Sequence, residues 1–180
     1  MMETIGAVQT EDDLSDVRQL FREYTSTIPP EILALQDFEA ELLGLPGAYA
    51  PPGGALLLAR SAGAEDDGCA IGCVALRPFK PRHSYEIEDR ICEMKRLYVA
   101  PKARRTGLGK RLAEAVFERA KEQGYNKIVL DTLPTMERAR QLYLSYGFVE
   151  TRLMDDGPVP GTINLEKDLH RAAHVLNTRS

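Results

Sequence analysis

The pattern of apolar and polar positions along the chain predicts an alternation of short strands and amphipathic helices. The strands are short apolar runs bounded by turn residues, and they are predicted at 3–9, 55–60, 70–79, 91–99, 127–131, 148–154 and 161–169. The helices show apolar residues three and four positions apart, and they are predicted from Thr10, from Pro29 to residue 43, from Leu108 to Gly124 and from Thr135 to Gly147. The resulting order is β-α-α-β-β-β-α-β-α-β-β.

The helix that begins at Leu108 has the clearest pattern. Its buried face is predicted from an i, i+4 row of apolar residues, Leu108, Leu112, Val116 and Ala120. This helix joins two predicted strands and forms a strand–helix–strand crossover over 91–131, which indicates a mixed α/β domain. A chain of 180 residues suits one domain, predicted at 1–169 with a C-terminal tail at 170–180.

The charge of the chain is unevenly distributed. Lys and Arg total 23 against 27 Asp and Glu, which gives a formal net charge of −4. A negative surface repels phosphate backbones, so we expect no nucleic-acid partner and no anionic membrane partner. The segment 95–111 nevertheless contains seven cations and no carboxylate, which leaves a charge of −11 on the rest of the chain. One short basic segment in an acidic protein favours a small anionic ligand.

Cysteine usage and the N-terminal sequence bear on the compartment and on metal binding. The chain has three cysteines, none in a two-residue-spaced pair, which is typical of thiols in a reducing cytosol. The acidic start lacks the apolar stretch of a signal peptide, and no apolar run is long enough to span a bilayer. We therefore expect a cytoplasmic protein. No metal is expected, because no cysteine or carboxylate lies at ligand spacing from His83, His170 and His174.

The motif that carries chemistry is the segment RRTGLG at 104–109, which joins a predicted strand to the helix after it. A helix N-terminus presents unpaired N–H groups and a partial positive charge, so it can bind a pyrophosphate. Gly107 and Gly109 allow close approach of phosphate oxygens, and the surrounding cations add to the field. The segment therefore predicts a site for a phosphate-bearing cofactor. The alternative is a solvated basic helix start.

A dinucleotide-binding fold is disfavoured by the spacing of this motif. That fold has a third glycine and begins its glycine motif directly after a strand. Here Leu112 stands where the third glycine would be, and residues 100–106 separate the strand from Gly107. Asp131 does lie at a strand end downstream, as the acidic residue of that fold would.

Three linked motifs resemble those of the GNAT superfamily of N-acetyltransferases. They are the segment 104–109, the strand sequence EMKRLYVAP at 93–101, and the pattern formed by Ala139, Tyr143, Gly147 and Phe148. The resemblance implies an α+β fold with a mixed, mostly antiparallel central sheet of about 6–7 strands flanked by about 4 helices. Many members have Asn where this chain has Met136, so any contact of that Asn must be replaced or absent here.

The resemblance also implies acetyl-CoA as co-substrate and a definite place for it. Backbone groups of Leu97 and Val99 would pair with the pantetheine arm like an added strand. The Val99 N–H would lie near an oxyanion formed on the acetyl carbonyl. The full set expected to bind the cofactor comprises Leu97, Tyr98, Val99, Arg104, Arg105, Thr106, Gly107, Leu108, Gly109 and Lys110.

The implied reaction is direct attack of an amine on the thioester in a ternary complex, and it needs a base and an acid. Glu93 is the candidate base, because it precedes Arg104 by the spacing found in the histone-acetylating members. Strand alternation places Glu93 on the face of Leu97 and Val99 unless a bulge intervenes. The alternative for Glu93 is a structural ion pair with Lys95 or Arg96.

Tyr143 is the candidate acid, since a phenol suits protonation of a departing coenzyme A thiolate. The alternative is a core aromatic residue beside Tyr146.

The acceptor is expected to be a small-molecule amine or amino acid that enters over the first two helices and two loops. The residues expected to contact it are Tyr49 in the loop at 44–54 and Glu86 and Glu88 in the acidic loop before residue 91. The alternative for that acidic loop is a solvated surface. Acetylation of a protein or peptide amine and a non-catalytic acyl-CoA-binding module remain open, as does an interaction domain without a ligand. We expect a monomer or a homodimer.

Overall fold

The computed structural model describes residues 2–34, 37–62, 68–81, 90–152, 154 and 161–170. Within these ranges the strands are β1 Met2–Ala7, β2 Ala55–Ala62, β3 Ala70–Phe79, β4 Ile91–Val99, β5 Lys127–Thr132, β6 Val149–Glu150 and β7 Ile163–Asp168. The helices are α1 Glu11–Thr25, α2 Pro30–Ala34, α3 Phe38–Leu43, α4 Leu108–Glu122 and α5 Glu137–Ser145. Single 3₁₀ turns occur at Gly47–Tyr49 and Pro101–Ala103.

The strands form one sheet in the order β1-β2-β3-β4-β5-β7-β6. Every neighbouring pair is antiparallel except β4 and β5, which are parallel and connected by α4. One face of the sheet packs against α4 and Tyr143 of α5, and the other packs against α1 and α3. The predicted fold class and element order are confirmed, with the crossover where the sequence places it.

Two helices form as their sequences predict. Thr10 caps α1 in a capping box with Asp13, and the buried face of α1 consists of Val17, Leu20 and Phe21. The whole predicted row of α4, from Leu108 to Ala120, is buried against the sheet. In both helices the apolar face is wide enough for burial to determine the orientation of the helix.

Several element boundaries differ from the predicted ones. The predicted second helix is interrupted: α2 and α3 are separate, and Asp37 before α3 has a left-handed backbone with φ of 51°. β1 ends at Ala7 because the N–H of Gln9 donates to Asp13 Oδ2 in the helix cap. Helix α5 begins at Glu137, since Met136 has a ψ of 55° that is not helical.

The strand predicted at 148–154 is much shorter in the structure. β6 comprises Val149 and Glu150, and both residues are exposed. It lies at the edge of the sheet and pairs only with β7, so it has a partner on one side alone. Because both residues of this edge strand are exposed, burial of apolar side chains does not lengthen it.

A bulge in β4 changes the direction of its side chains. On β3, Cys73 and Ala75 are two residues apart, whereas their partners Tyr98 and Lys95 on β4 are three apart. The extra residue is Arg96, which has a left-handed φ of 58°. After the bulge, Leu97 and Val99 face α4, whereas Glu93 faces away from it. The predicted common face for Glu93, Leu97 and Val99 is therefore wrong.

Candidate active site

A cleft opens where β4 and β5 stop pairing. The two strands are paired from Ile91 and Lys127 to Glu93 and Val129, and they diverge beyond that point. The space between them is a pocket of about 60 Å³. Its lining residues are Tyr24, Met94, Lys95, Arg96, Leu97, Leu130, Asp131, Thr132, Met136, Ala139 and Tyr143.

The backbone of Val99 faces this divergence between the strands. Val99 lies opposite Gly72, and the next residue, Ala100, donates its N–H to Ile71 O at 2.9 Å. In an antiparallel ladder, hydrogen-bonded and non-hydrogen-bonded pairs alternate. Val99 is therefore at a non-hydrogen-bonded position, and its N–H points away from β3 toward β5. An extended ligand lying between the strands can accept that N–H.

The loop from residue 104 to the start of α4 presents a row of unpaired donors. Among the described residues, no backbone or side-chain acceptor pairs with the N–H groups of Arg105 to Lys110. Arg105 and Gly107 have positive φ values of 67° and 84°, which turn the chain tightly ahead of the helix. Successive N–H groups at a helix N-terminus form a concave site for an anion. This geometry fits a pyrophosphate.

The cations around this loop divide by their contacts. Arg111 donates to Thr106 O and forms an ion pair with Glu3 of β1, which ties the loop to the sheet. Arg104 donates to Val99 O at 3.1 Å and lies 5.9 Å from the Tyr98 ring. Three further cations on the loop and its flanks are exposed, Lys102, Arg105 and Lys110.

Tyr143 lines the cleft from α5. Its side chain is 7% exposed, and its ring packs 5.7 Å from that of Phe148. Burial raises the pKa of the Tyr143 phenol above its usual value, and Tyr24 and Asp131 raise it further. The phenol therefore keeps its proton at neutral pH. It is both a core aromatic residue and a polar group at the cleft, so the two interpretations of Tyr143 coexist.

Glu93 is buried behind the cleft and does not line it. Its carboxylate accepts from Arg77 Nε at 2.6 Å and lies 3.3 Å from Lys95 Nζ. Of the two partners considered from the sequence, Lys95 is therefore present. Arg96 instead binds Glu41 of α3, and Arg77 of β3 takes its place.

The carboxylate that lines the cleft is Asp131, at the end of β5. Lys95 Nζ donates to Asp131 Oδ1 at 2.7 Å, across the gap between the strands. Burial alone would raise the pKa of Asp131, but the Lys95 ammonium outweighs it and holds that pKa below its ordinary value. Asp131 is thus ionised at neutral pH.

Sequence reasoning assigned no role in the cleft to Tyr24 or Thr132, and it did not predict the ion pair between Lys95 and Asp131. Tyr24 belongs to the apolar stripe of α1, and nothing in its spacing distinguishes it from a core residue. Asp131 could have been found from one feature of the sequence, because it is an acidic residue at the end of a buried strand. Thr132, next to it, has a buried hydroxyl that finds no hydrogen-bond partner in the described part of the chain.

Tyr49, one of the residues expected to contact the acceptor, does not line the cleft between β4 and β5. Tyr49 is 3% exposed, and its hydroxyl donates to Glu41 at 2.7 Å. It lines a second pocket of about 200 Å³, between the Pro46–Gly54 loop and the end of α4. Glu86 and Glu88 lie outside the described residues.

Among the described residues, no cluster of three His, Cys, Asp or Glu side chains could hold a metal ion. No helix in the described ranges is both long enough and apolar enough to cross a bilayer.

Known proteins with similar sequences or structures point to one family. A sequence profile of the acetyltransferase (GNAT) family matches residues 14–148. An uncharacterized N-acetyltransferase of Schizosaccharomyces pombe is 34% identical over 168 residues, which cover 93% of this chain and 96% of that relative.

Two solved structures share the fold. An acetyltransferase of the GNAT family from Staphylococcus aureus superposes with a TM-score of 0.71 at 18% identity, covering 93% of this chain and 99% of that one. The PaiA N-acetyltransferase of Thermoplasma acidophilum, solved in complex with coenzyme A, gives 0.67 at 17% identity, with 93% and 99% covered. With the profile match and the full-length relative, the divergent strands and the loop before α4 have one explanation. The chain belongs to the GNAT family and is an acyltransferase of the GNAT type.

Proposed function

We propose that this protein transfers an acetyl group from acetyl-CoA to the primary amine of a small molecule or amino acid, by direct attack in a ternary complex. The observation that carries the proposal is the row of unpaired N–H groups from Arg105 to Lys110, which leads to the cleft between β4 and β5. Such a row binds a pyrophosphate, and the cleft beside it holds the groups for acyl transfer.

The residues present fit the pyrophosphate, the pantetheine arm and the thioester of acetyl-CoA. The loop 104–110 would bind the pyrophosphate, and the backbone of Leu97 to Val99 would pair with the pantetheine arm, because the Val99 N–H faces the gap. The thioester would then lie in the pocket lined by Asp131 and Tyr143. The Thermoplasma acidophilum relative with coenzyme A bound supports this assignment.

The acceptor amine arrives mostly as an ammonium ion and must lose a proton before it attacks. Asp131 supplies an anionic partner for that ammonium, since Lys95 occupies only its Oδ1. Glu93 remains the predicted base, and its path to the cleft runs through Lys95, which contacts both carboxylates. The amine nitrogen then bonds to the acetyl carbon, and the proton it releases passes to a carboxylate.

Tyr143 completes the reaction as the acid. The C–S bond breaks as the amide forms, the thiolate that leaves takes the phenolic proton of Tyr143, and the second proton released by the nitrogen restores the phenol. Burial raises the pKa of that phenol, so Tyr143 is protonated at neutral pH and can act as the donor. The Val99 N–H would stabilise the oxyanion formed in between.

The test is calorimetric titration with acetyl-CoA, followed by an amine screen that measures free thiol. Tyr143→Phe is expected to lower kcat by roughly 10²–10⁴ and to leave acetyl-CoA affinity unchanged. Tyr146→Phe is the matched control, because its hydroxyl binds Glu114 away from the cleft lining. Full turnover by Tyr143→Phe would remove its assignment.

Two further variants test the roles proposed for Asp131 and Glu93. Asp131→Asn is expected to raise KM for the amine, whereas Glu93→Gln is expected to lower kcat if Glu93 is the base. Binding of acetyl-CoA without thiol release for any amine would instead support a non-catalytic acyl-CoA-binding module. We also propose a reducing, cytoplasmic compartment, consistent with the free thiols of Cys73 and Cys92.

A further inference from the structure

Arg96 is a cation of the basic segment that takes no part in the phosphate loop. Its guanidinium is 4% exposed and faces the α1–α3 side of the sheet. It donates to Glu41 through Nε at 3.0 Å and through Nη2 at 2.5 Å. It also lies 5.1 Å from the Phe38 ring and 5.8 Å from the Tyr24 ring. The side chain is therefore held on all sides by residues of α1 and α3.

Glu41 is in turn held by a third residue. The Tyr49 hydroxyl donates to Glu41 Oε1, the same oxygen that accepts from Arg96 Nε. Burial alone would raise the pKa of Glu41, but the hydrogen bonds and charge of Arg96 hold that pKa below its ordinary value. Tyr49, Glu41 and Arg96 thus form a chain of contacts from the loop after α3 to the middle of β4, in which Glu41 and Arg96 are ionised.

These contacts act on the backbone conformation of Arg96. Arg96 is the extra residue of the β4 bulge and has a left-handed φ of 58°, which a residue with a Cβ adopts only when its surroundings hold it there. The bulge determines the face to which Leu97 and Val99 point and directs the Val99 N–H into the gap. Cofactor-binding geometry on β4 therefore depends on the Arg96 conformation.

We infer that Arg96, Glu41 and Tyr49 are positioning residues that hold the β4 bulge in the conformation that receives acetyl-CoA. The inference rests on the proposed function only in the identity of that ligand. Arg96 also lines the cleft, but its proposed action is on the backbone of β4, because its guanidinium is bound by Glu41. The segment from Phe38 to Tyr49, on the opposite side of the sheet from α4, thereby sets the backbone on which the cofactor binds.

The experiment compares Arg96→Lys and Tyr49→Phe with Arg60→Lys. Arg96→Lys keeps the charge but loses the two-pronged contact, and Tyr49→Phe removes one hydrogen bond and keeps the ring. Arg60 is the matched control, because it forms comparable ion pairs with Asp13 and Asp16 of α1 far from the bulge. Coenzyme A affinity is measured by calorimetry, at a temperature where all variants are folded.

We expect Arg96→Lys to weaken coenzyme A binding by about tenfold, with a smaller loss for Tyr49→Phe. Arg60→Lys should bind as the wild type does. Equal affinities in Arg96→Lys and Arg60→Lys would overturn the inference. If Arg96→Lys does not fold, Tyr49→Phe decides the question, and wild-type affinity in that variant overturns it.

Hydrogen exchange of the ligand-free protein separates this inference from the proposed function. Amides at 94–100 should exchange faster in Arg96→Lys and Tyr49→Phe than in the wild type, whereas amides of β5 should be unchanged. Unchanged exchange at 94–100 in both variants would overturn the inference. If the wild type binds no coenzyme A, the proposed function fails, but the exchange result still tests whether these residues hold the bulge.

Discussion

Six of the seven cations of the segment 95–111 form two groups with different surroundings, and the seventh, Arg111, pairs with Glu3 of β1. Lys95 and Arg96 lie inside the molecule, and each has a carboxylate partner on another element. The exposed group on the loop and its flanks comprises Lys102, Arg104, Arg105 and Lys110. A buried cation needs a fixed partner and so stabilises a conformation, whereas an exposed cation remains available to an anionic ligand. The cations at one end of this basic segment thus stabilise the fold, and those at the other end are the ones proposed to bind the ligand.

The largest expected effect breaks the inner group. Arg96→Met would leave the half-buried Glu41 carboxylate without its cation, and we expect the free energy of unfolding to fall by about 3–5 kcal/mol. Urea unfolding measures it. Arg105→Met, in the exposed group, should change stability by no more than about 0.5 kcal/mol. Similar losses in both variants would show that the two groups do not differ as described.

A second prediction concerns the outer group. The double variant Arg105→Ala/Lys110→Ala should bind coenzyme A at least about tenfold more weakly, because charge-assisted contacts to phosphate are lost. Its dependence on salt should also be shallower, since fewer exposed charges remain to be screened. Calorimetry at two salt concentrations measures both effects. Lys121→Ala at the far end of α4 is the control, and an equal loss there would point to net charge alone.

The smallest expected effect is a pH dependence from the inner group. The folded-state pKa of Asp131 is lowered, so its contribution to stability is full above the unfolded pKa near 3.9 and is lost as the pH falls below it. The Lys95 pKa is raised, since Asp131 and Glu93 outweigh the effect of burial, so its contribution is lost only as the pH rises above about 10.

Urea unfolding of the wild type and Asp131→Asn across this range checks the pH prediction. The stability difference between them should be about 1 kcal/mol or less near neutral pH, because Lys95 keeps Glu93 as a carboxylate partner in Asp131→Asn. It should shrink toward zero below pH 3. A difference that grows on acidification would contradict the direction of the Asp131 shift.

Elements with local signals were predictable from the sequence. The periodicity of α1 and α4 and the capping residue Thr10 determine those helices within a few neighbouring residues, so their positions agree with the structure. The loop at 104–109 is defined by glycine and by its place before a helix, and its N–H groups from Arg105 onward have no acceptor in the described part of the chain. Local conformational preference suffices for these features because few distant contacts compete with it.

The predictions that were wrong concern segments whose conformation is set by contacts with residues distant in the sequence. Period-two alternation placed Glu93 on the face of Leu97, but the bulge at Arg96 reverses the face. The apolar run at 148–154 gives only two residues of strand, because an edge position supplies one pairing partner. Nothing near these segments in the sequence records the bulge or the edge.

The sequence by itself determined the order of the elements apart from the split second helix, the crossover, the family, and the loop predicted to bind phosphate. These follow from spacing and residue type within short windows. The tertiary structure decided which cation meets which carboxylate: Lys95 pairs with Asp131, 36 residues away, and Arg96 pairs with Glu41, 55 residues away. Such pairs depend on the sheet bringing distant residues together, and an ion pair carries no periodic signal along the chain. The active-site residues therefore became visible only once the sheet and the β4 bulge were described.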